Sequence, residues 1–305
     1  MATFLSGSEI EALCTLEEVM ETQREVFARH ARSETVLGPR AVLTQGENAQ
    51  FSYIARASVD GPTIVKFGTV VPSNSSRGLP AVQTTVAVLD ATTGSPRYFF
   101  DGETVTRLRT VATSMAVAKA LVPRAEKIAV VGLGHQGLAH AKAAAGIFQP
   151  KEIIGIHRQE KNANSGQSAF TAITPDISSL EDFDLAFLCT NSMTPVLFKP
   201  LAEKSLVVSI GSFAPNRSEV SPTLLSTADH LYVDDPSIAI EQCGSVKEAA
   251  SLPEKRWSAP EGIGSLFQDL SPTISGRSYF FSVGLGIQDA ALIELILKKK
   301  QGYGL

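Results

Sequence analysis

The chain has 305 residues, of which 44% are hydrophobic and 19% charged, and its formal net charge is −4. This length predicts two domains with ample material for a core, and so mild a charge argues against a nucleic-acid partner. No segment has the uninterrupted apolar run of a membrane span, and the opening stretch MATFLSGSEIEALCTLEEVM lacks the basic and apolar regions of a signal peptide. Cys14, Cys189 and Cys243 are too far apart for metal-site or disulfide-framework spacing. We therefore expect a cytoplasmic protein without a metal site.

The first hundred residues predict a helix followed by a sheet. Apolar residues recur at helical spacing over residues 8–30. Between residues 41 and 100, β-prone runs alternate with turn signals such as Asp60-Gly61, which predicts a mostly antiparallel sheet. These runs are AVLTQ, QFSYIAR, TIVKFGTVV, AVQTTVAVLD and RYFF. The segment ETVTRLRTVATSMAVAKAL then predicts a long helix leading into the next domain.

From Lys127 onward, strand-like and helix-like segments alternate, which predicts a doubly wound parallel sheet ending near residue 275. The expected strands are KIAVV, EIIGIH, DLAFLC, SLVVSI and HLYVDD. After the sheet, SYFF predicts a short strand, and an amphipathic C-terminal helix follows it.

The run KIAVV leads directly into a G-x-G-x-x-G motif formed by Gly132, Gly134 and Gly137. In such a motif the first glycine permits a tight turn, the second lets the backbone approach a pyrophosphate, and the third lets helix and strand pack closely. We therefore expect a dinucleotide here, bordered also by Leu133, His135 and Gln136. The alternative is that the glycines only make a tight turn.

The end of the next predicted strand bears on the choice of cofactor. A carboxylate at this place usually holds the ribose hydroxyls of NAD, but the strand ends in His157-Arg158. An arginine can pair with the 2′-phosphate of NADP. We expect Arg158 to do so, with Gln159 and Asn162 nearby, and hence NADPH as cofactor, with NADH possible. The alternative is that Arg158 is a solvated surface charge.

Several segments resemble the ornithine cyclodeaminase/mu-crystallin family. They are KFGTVVPSNSSRGLPAV, DGETVTRLRTVATSMAVAKAL, IAVVGLGHQGLAHA, CTNSMTPVLF, SIGSFAPNRSEV and FFSVGLGIQDAAL, and they run from about Lys66 to about Ala291 in the expected order. The resemblance implies an α/β protein in which a Rossmann domain, residues 113–277, is inserted into an α+β domain for substrate binding and dimerisation, residues 1–112 plus 278–305. It also implies a homodimer and a small imino- or amino-acid substrate.

Within the resemblance, Lys66 and Arg109 correspond to the basic residues that bind the substrate carboxylate, and both are taken as catalytic. From the pattern alone, Lys66 would be an outward-facing strand residue and Arg109 a surface ion pair. A desolvated Lys66 would have a lowered pKa and could exchange a proton with an imine nitrogen. Arg40 is a weaker candidate for a second basic contact. For Asp289 we favour a structural role.

On the cofactor side, Thr190 and Asn191 follow the predicted strand DLAFLC, and Ile210 and Ser212 end the next predicted strand, SLVVSI. Ligands bind at the carboxyl edge of such a sheet, so we expect these residues near the nicotinamide. The resemblance adds Thr110 and Ser282 to the cofactor-binding set.

One position departs from the cyclodeaminases of the family. Their catalytic aspartate corresponds to Phe213, which cannot move a proton. The resemblance therefore implies a ketimine reductase that converts Δ1-pyrroline-2-carboxylate or Δ1-piperideine-2-carboxylate to L-proline or L-pipecolate. The alternatives are an alanine-dehydrogenase-type or cyclodeaminase-type enzyme, and a small-ligand carrier that binds NADPH, as mu-crystallin does.

Overall fold

The computed structural model describes residues 2–157, 169–178, 180–268 and 276–302. The chain divides into two compact units, one formed by Met1–Ala112 with Leu285–Leu305 and the other by Thr113–Gly284. The expected boundary at residue 278 thus lies too early, because the strand at Ser278–Phe281 belongs to the parallel sheet.

Helices occur in both units of the chain. Among those that the structure describes, none combines the length and apolar character needed to cross a bilayer. They are α1 (Gly7–Leu13), α2 (Leu16–Ala31), α3 (Gly102–Leu121), α4 (His135–Phe148), α5 (Pro222–Ser226), α6 (Pro236–Gln242), α7 (Gly244–Ala250), α8 (Ile263–Leu266) and α9 (Gly286–Gly302).

The helix expected over residues 8–30 is two helices in the structure, interrupted at Cys14 and Thr15. The Thr15 hydroxyl accepts a hydrogen bond from the Glu18 amide at 3.3 Å, and the Glu18 carboxylate accepts one from the Thr15 amide at 2.8 Å. This reciprocal pair is a capping box, which starts a new helix at residue 16. The apolar periodicity continues across the break, so periodicity alone did not reveal it.

The first unit contains a seven-stranded sheet, in the order β1-β7-β6-β5-β4-β2 with β3 also paired to β4. Strand β1 runs parallel to β7, and the other pairs are antiparallel. The strands are β1 (Thr3–Leu5), β2 (Val36–Leu37), β3 (Ala41–Gln45), β4 (Asn48–Arg56), β5 (Thr63–Val70), β6 (Val82–Leu89) and β7 (Pro96–Asp101).

The alternation of side chains along β5 determines where Lys66 points. Ile64 is fully buried and Lys66 is 2% exposed, whereas Phe67 on the opposite face is 45% exposed. Helix α9 packs against β4 and β5. The face that carries Lys66 is therefore buried, contrary to the outward orientation that the pattern alone suggests.

The second unit contains an eight-stranded, wholly parallel sheet in the order β10-β9-β8-β11-β12-β15-β13-β14. Its strands are β8 (Lys127–Val131), β9 (Glu152–Ile156), β10 (Ala172–Thr174), β11 (Leu185–Leu188), β12 (Leu206–Ser209), β13 (His230–Val233), β14 (Glu261–Gly262) and β15 (Ser278–Phe281).

The position of β15 differs from expectation. The sequence suggests that the parallel sheet ends near residue 275, yet β15 lies between β12 and β13 and all four of its residues are buried. A short apolar run is typical of a central strand. The strands on either side of β15 are distant from it in the sequence, however, and local patterns do not encode such pairings.

Candidate functional site

A buried cluster of charged side chains lies in the first unit. The Lys66 ammonium Nζ is 2.9 Å from Asp289 Oδ1, and Arg109 Nε is 3.7 Å from the same oxygen. The Tyr53 hydroxyl donates a hydrogen bond of 2.7 Å to Asp289 Oδ2. Asp289 is fully buried, and Lys66 and Arg109 are 2% and 8% exposed. The structure thus brings together the two basic residues expected to bind a substrate carboxylate.

Four elements of the first unit supply this cluster. Tyr53 on β4 and Lys66 on β5 are direct partners in the antiparallel register. Arg109 lies on α3, and Asp289 is in the first turn of α9, where the helix dipole favours a negative charge. A Cβ atom at Gly286 would lie 2.8 Å from the Ala55 Cβ and 2.9 Å from the Tyr53 ring. The glycine therefore lets the start of α9 approach β4 closely enough for these contacts.

Neighbouring groups complete the cluster. The guanidinium carbon of Arg40 lies 5.4 Å from the centre of the Tyr53 ring. Arg40, the weaker candidate for a second basic contact, is therefore next to this cluster. The Lys66 ammonium also donates to the Thr106 hydroxyl. Arg109 Nη1 donates to the Gln288 side-chain oxygen at 3.1 Å. Arg109 is thereby oriented by α9 as well as by its own helix.

Burial and neighbouring charge set the protonation of this cluster. Burial lowers the pKa of Lys66 to about 8, although Asp289 opposes the shift. Burial alone would raise the pKa of Asp289, but the charges of Lys66 and Arg109 bring it below its ordinary value. Burial and the Asp289 charge raise the pKa of Tyr53 well above its ordinary value. Near neutral pH the cluster therefore holds a protonated lysine that releases its proton at a lower pH than an exposed one.

The geometry of the glycine turn in the second unit suits a dinucleotide. Gly132 has φ +92°, and a Cβ there would lie 2.7 Å from the Cys189 carbonyl oxygen. A Cβ at Gly137 would lie 1.8 Å from the Gly132 carbonyl oxygen, so only glycine fits. Around Gly134, the N-cap of α4, a Cβ would meet nothing within 4 Å. The turn is thus tightly packed on its inner side and open at the helix N-terminus, where amide groups attract phosphate.

The other residues of the turn differ in exposure. Leu133 is buried, and its two methyl carbons lie 3.0 and 3.2 Å from where a Cβ at Gly155 would be, so its side chain packs on β9. His135 is exposed, whereas Gln136 has a buried side-chain oxygen without a hydrogen-bond partner among the described residues. His140, which the sequence gives no catalytic partner, is fully buried and contacts Ser114 Oγ at 3.0 Å. Burial lowers the pKa of His140 to about 4, so it is neutral and structural.

The parallel strands end together at one edge of the sheet. Val131, Leu188, Ser209 and Phe281 are successive partners in the register across β8, β11, β12 and β15. The residues expected to contact the cofactor follow this row, so the register brings them to the same edge of the sheet. They are His157, Thr190, Ile210, Ser212 and Ser282.

The other residues expected to bind the cofactor are less clearly placed at this edge. Asn191 is exposed just after Thr190. The Thr110 hydroxyl donates to the Thr106 carbonyl within α3 at 2.6 Å, so the role predicted for it stays a prediction. Arg158, Gln159 and Asn162 lie outside the described residues.

Sequence reasoning missed two buried carboxylates at this edge, Glu219 and Asp234. Glu219 accepts hydrogen bonds from the strand ends at Thr190 and Gly211, and Asp234 Oδ2 accepts them from Ser282 Oγ and the Gly284 amide. Burial raises the pKa of Glu219, and its hydrogen bonds offset part of that rise. One signal was available: Asp234 directly follows a strand, where polar residues of a parallel sheet meet ligands.

Phe213, which occupies the cyclodeaminase aspartate position, is 39% exposed. The Arg217 guanidinium carbon lies 4.7 Å from the centre of its ring, a cation–π contact. Among the residues that the structure describes, no group of three or more histidine, cysteine, aspartate or glutamate side chains could hold a metal ion. The described residues thus offer two candidate sites, each in its own unit: the basic cluster in the first unit and the dinucleotide-type turn in the second.

Comparisons with known proteins find relatives that are similar to this chain in sequence and in fold. A protein of Azospirillum brasilense named Delta(1)-pyrroline-2-carboxylate/Delta(1)-piperideine-2-carboxylate reductase is 29% identical over 292 residues, which cover 93% of this chain and 92% of its own. The structure of Thermococcus litoralis Delta(1)-pyrroline-2-carboxylate reductase with NADH and L-proline matches with a TM-score of 0.88 at 20% identity, over 99% of this chain and 98% of that one. An archaeal alanine dehydrogenase dimer with bound NAD matches with a TM-score of 0.86 at 22% identity, over 100% and 97% of the two chains.

At these identities the two solved structures show a shared fold. The sequence pattern of the ornithine cyclodeaminase/mu-crystallin family matches residues 2–303, nearly the whole chain. The protein belongs to the ornithine cyclodeaminase/mu-crystallin family.

Proposed function

We propose that the protein reduces a cyclic ketimine carboxylate, such as Δ1-pyrroline-2-carboxylate or Δ1-piperideine-2-carboxylate, with NAD(P)H, giving L-proline or L-pipecolate. The observation that carries this proposal is the buried cluster in which Lys66 and Arg109 meet around Asp289. Charged groups are rarely buried unless they are paired, and here two buried basic groups share one carboxylate, which leaves positive charge for an anionic ligand. The related reductase of Azospirillum brasilense, similar over most of both chains, supports the same reaction class.

The basic cluster suits a substrate that carries one carboxylate. Arg109 presents a planar fork that can hold a carboxylate through two parallel hydrogen bonds. Lys66 and Arg40 add charge from the neighbouring strand and loop. Asp289 keeps Lys66 in place through its 2.9 Å contact, so the ammonium points to a fixed spot. This arrangement would fix the carboxylate and with it the imine carbon to which it is attached.

Lys66 is also suited to hold the proton that the reaction needs. When bound, NAD(P)H supplies a hydride for the imine carbon. A lysine with a pKa of about 8 is protonated at neutral pH yet gives up its proton more readily than an exposed lysine. We infer that Lys66, directly or through a water, keeps the imine nitrogen protonated. The hydride and this proton together turn the C=N bond into CH–NH.

Three other activities compete with this one. One is the reaction of an alanine dehydrogenase, because the archaeal alanine dehydrogenase has a similar fold. This reaction would use ammonia with a keto acid. Ornithine cyclisation is disfavoured, because Phe213 has no carboxylate to offer at the position of the cyclodeaminase aspartate. A carrier that binds NADPH and a small ligand would keep the same pocket residues without turnover.

The cofactor preference rests on sequence. We propose NADPH over NADH, because the two positions directly after β9 hold His157 and Arg158 and no carboxylate. The open amide groups at the start of α4 suit the pyrophosphate of either cofactor. A cytoplasmic location stays a prediction.

We also propose that the protein forms a homodimer through the first unit. Leu43, Ile54 and Phe67 are 73%, 51% and 45% exposed. The antiparallel register puts all three on the face of the sheet opposite Lys66. Large apolar side chains grouped on one face commonly mark a subunit interface. The similar archaeal alanine dehydrogenase is a dimer, which supports this assignment.

A substrate panel tests the proposed reaction. The protein is incubated with NADPH or NADH and a preformed five- or six-membered cyclic ketimine carboxylate, with pyruvate plus ammonia, or with ornithine and the oxidised cofactor. We expect sustained loss of NADPH absorbance with a cyclic imine and no appreciable ammonia release from ornithine. If pyruvate with ammonia were the only substrate pair turned over, the result would favour the alanine-dehydrogenase reaction. Binding without turnover of any substrate would favour the carrier.

The second test replaces Arg109 with lysine. Arg109→Lys keeps the charge but loses the two-pronged contact, so kcat/KM for the cyclic imine should fall by about one to two decades, equivalent to roughly 1.5–3 kcal/mol. Because the reacting carbon is attached to the carboxylate, kcat should fall as well as KM rise. Arg107→Lys on the same helix is the matched control, since Arg107 pairs with Glu11 instead. Parent kinetics in Arg109→Lys would show that Arg109 does not bind the substrate.

The third test concerns cofactor choice. Arg158→Ala should raise the KM for NADPH by about tenfold or more, because it removes a charge-assisted contact worth roughly 1.5–3 kcal/mol. The KM for NADH should change little, because NADH lacks the 2′-phosphate. Arg124→Ala, at an exposed arginine of the same unit, serves as the control. Equal changes for both cofactors would remove Arg158 from the 2′-phosphate site.

A further inference from the structure

Glu219 is a fully buried carboxylate that joins the ends of two neighbouring strands. Its Oε1 accepts hydrogen bonds from the Thr190 amide at 2.6 Å and from the Thr190 hydroxyl at 2.7 Å. Its Oε2 accepts hydrogen bonds from the Ser209 hydroxyl and the Gly211 amide, both at 2.7 Å. Thr190 follows β11 and Gly211 follows β12, so one side chain holds both strand ends.

The backbone of Glu219 is fixed as firmly as its side chain. Its amide donates to Ser212 Oγ at 3.1 Å and to Ser245 Oγ at 3.2 Å. Its carbonyl accepts from the amides of Val196 and Leu197, both at 2.9 Å. These backbone hydrogen bonds fix the position of the carboxylate. The carboxylate in turn fixes the positions of the Thr190 and Gly211 amides that donate to it.

The packing around the carboxylate is very tight. A Cβ at Gly211 would lie 2.1 Å from the Thr190 carbonyl oxygen and 2.5 Å from Glu219 Oε1. A Cβ at Gly132 would lie 2.7 Å from the Cys189 carbonyl oxygen, one residue before Thr190. The glycine turn, the end of β11 and the end of β12 thus form one continuous packed row, with Glu219 at its far end.

We propose that Glu219 is a positioning residue for the nicotinamide half of the dinucleotide site. The proposal rests on the proposed function in one respect, that a dinucleotide binds along this edge of the sheet. Glu219 is fully buried and each of its oxygens already accepts two hydrogen bonds, so it acts through Thr190 and the segment from Ile210 to Ser212. The phosphates are expected at Gly132 to Gly137, whereas the four hydrogen bonds to the Glu219 carboxylate come from Thr190, Ser209 and Gly211.

A carboxylate is required because both oxygens must accept. Oε1 accepts a hydrogen bond from the Thr190 amide, and Oε2 accepts one from the Gly211 amide. A backbone N–H can only donate, so both side-chain atoms must be acceptors. Glutamine offers one oxygen and one NH₂ group, so one of the two amides would face a donor. Glu219→Gln should therefore release one strand end while preserving side-chain size.

The test compares two ligands that differ in the nicotinamide. The affinities of NADPH and of 2′-phospho-ADP-ribose, which lacks the nicotinamide, are measured by calorimetry for the parent, Glu219→Gln and Glu241→Gln. Glu241 is an exposed glutamate on α6 of the same unit and is the matched control. We expect Glu219→Gln to weaken NADPH binding by about tenfold, the effect of one lost bond to a charged group, and to leave 2′-phospho-ADP-ribose within about twofold.

A second variant covers the case in which Glu219→Gln does not fold. Ser209→Ala removes one hydrogen bond to Glu219 Oε2 and leaves the carboxylate in place. It should show the same selective loss for NADPH, to a smaller extent. In both variants that fold, kcat for a cyclic imine should fall more than the KM for the imine rises.

Equal weakening of both ligands in either variant, or no change in either ligand, would overturn the positioning role. A parent protein that binds neither ligand would overturn it as well. A parent protein that binds NADPH but reduces no cyclic imine would end the proposed function, while the comparison of the two ligands would still decide the role of Glu219.

Discussion

The buried ion pair between Lys66 and Asp289 is the interaction on which the candidate substrate site depends. A lysine on a covered sheet face would be strongly destabilising without a partner, because burial penalises its charge. Asp289 supplies that partner from the first turn of α9, and Gly286 lets this helix approach β4 closely enough. The Tyr53 hydroxyl donates a hydrogen bond to the other carboxylate oxygen, and Arg109 lies at ion-pair distance from the oxygen that Lys66 contacts. The C-terminal helix thus supplies the charged partner of residues that lie far earlier in the chain.

In the second unit, backbone and side-chain groups from several strands are brought together at one edge of the parallel sheet. Parallel pairing brings the ends of β8, β11, β12 and β15 into a single row. Glycines at 132, 137 and 211 let that row pack without side chains between the strand ends. Buried Glu219 and Asp234 then hold the loops by accepting hydrogen bonds from amides and hydroxyls. Each unit therefore organises its site around buried carboxylates that are not expected to touch the reacting atoms.

The sequence predicted those features whose cause is local. The strand KIAVV coincides with β8 and leads into the turn, because glycine spacing and β propensity act over a few residues. The family resemblance singled out Lys66 and Arg109, which the structure places beside the same carboxylate oxygen, whereas the pattern alone made Lys66 a surface residue. The place of β15 and the link between Lys66 and Asp289, 223 residues apart, depend on pairings that no local pattern encodes. Buried charges such as Glu219 look like surface charges in a sequence, because their partners are distant in the chain.

The central claim is that Lys66, tuned by burial and by Asp289, carries the proton for imine reduction. The most direct measurement is the pH dependence of kcat/KM for Δ1-pyrroline-2-carboxylate in the parent and in Asp289→Asn, with folding checked by NADPH binding. The protonated lysine is the active form, so kcat/KM should fall as pH rises through about 8 in the parent. Asp289 raises the pKa of Lys66, so its removal should move this fall to lower pH, while ionisation of the substrate is common to both proteins. A fall at the same pH in both proteins, or a flat profile across this range in the parent, would contradict the account.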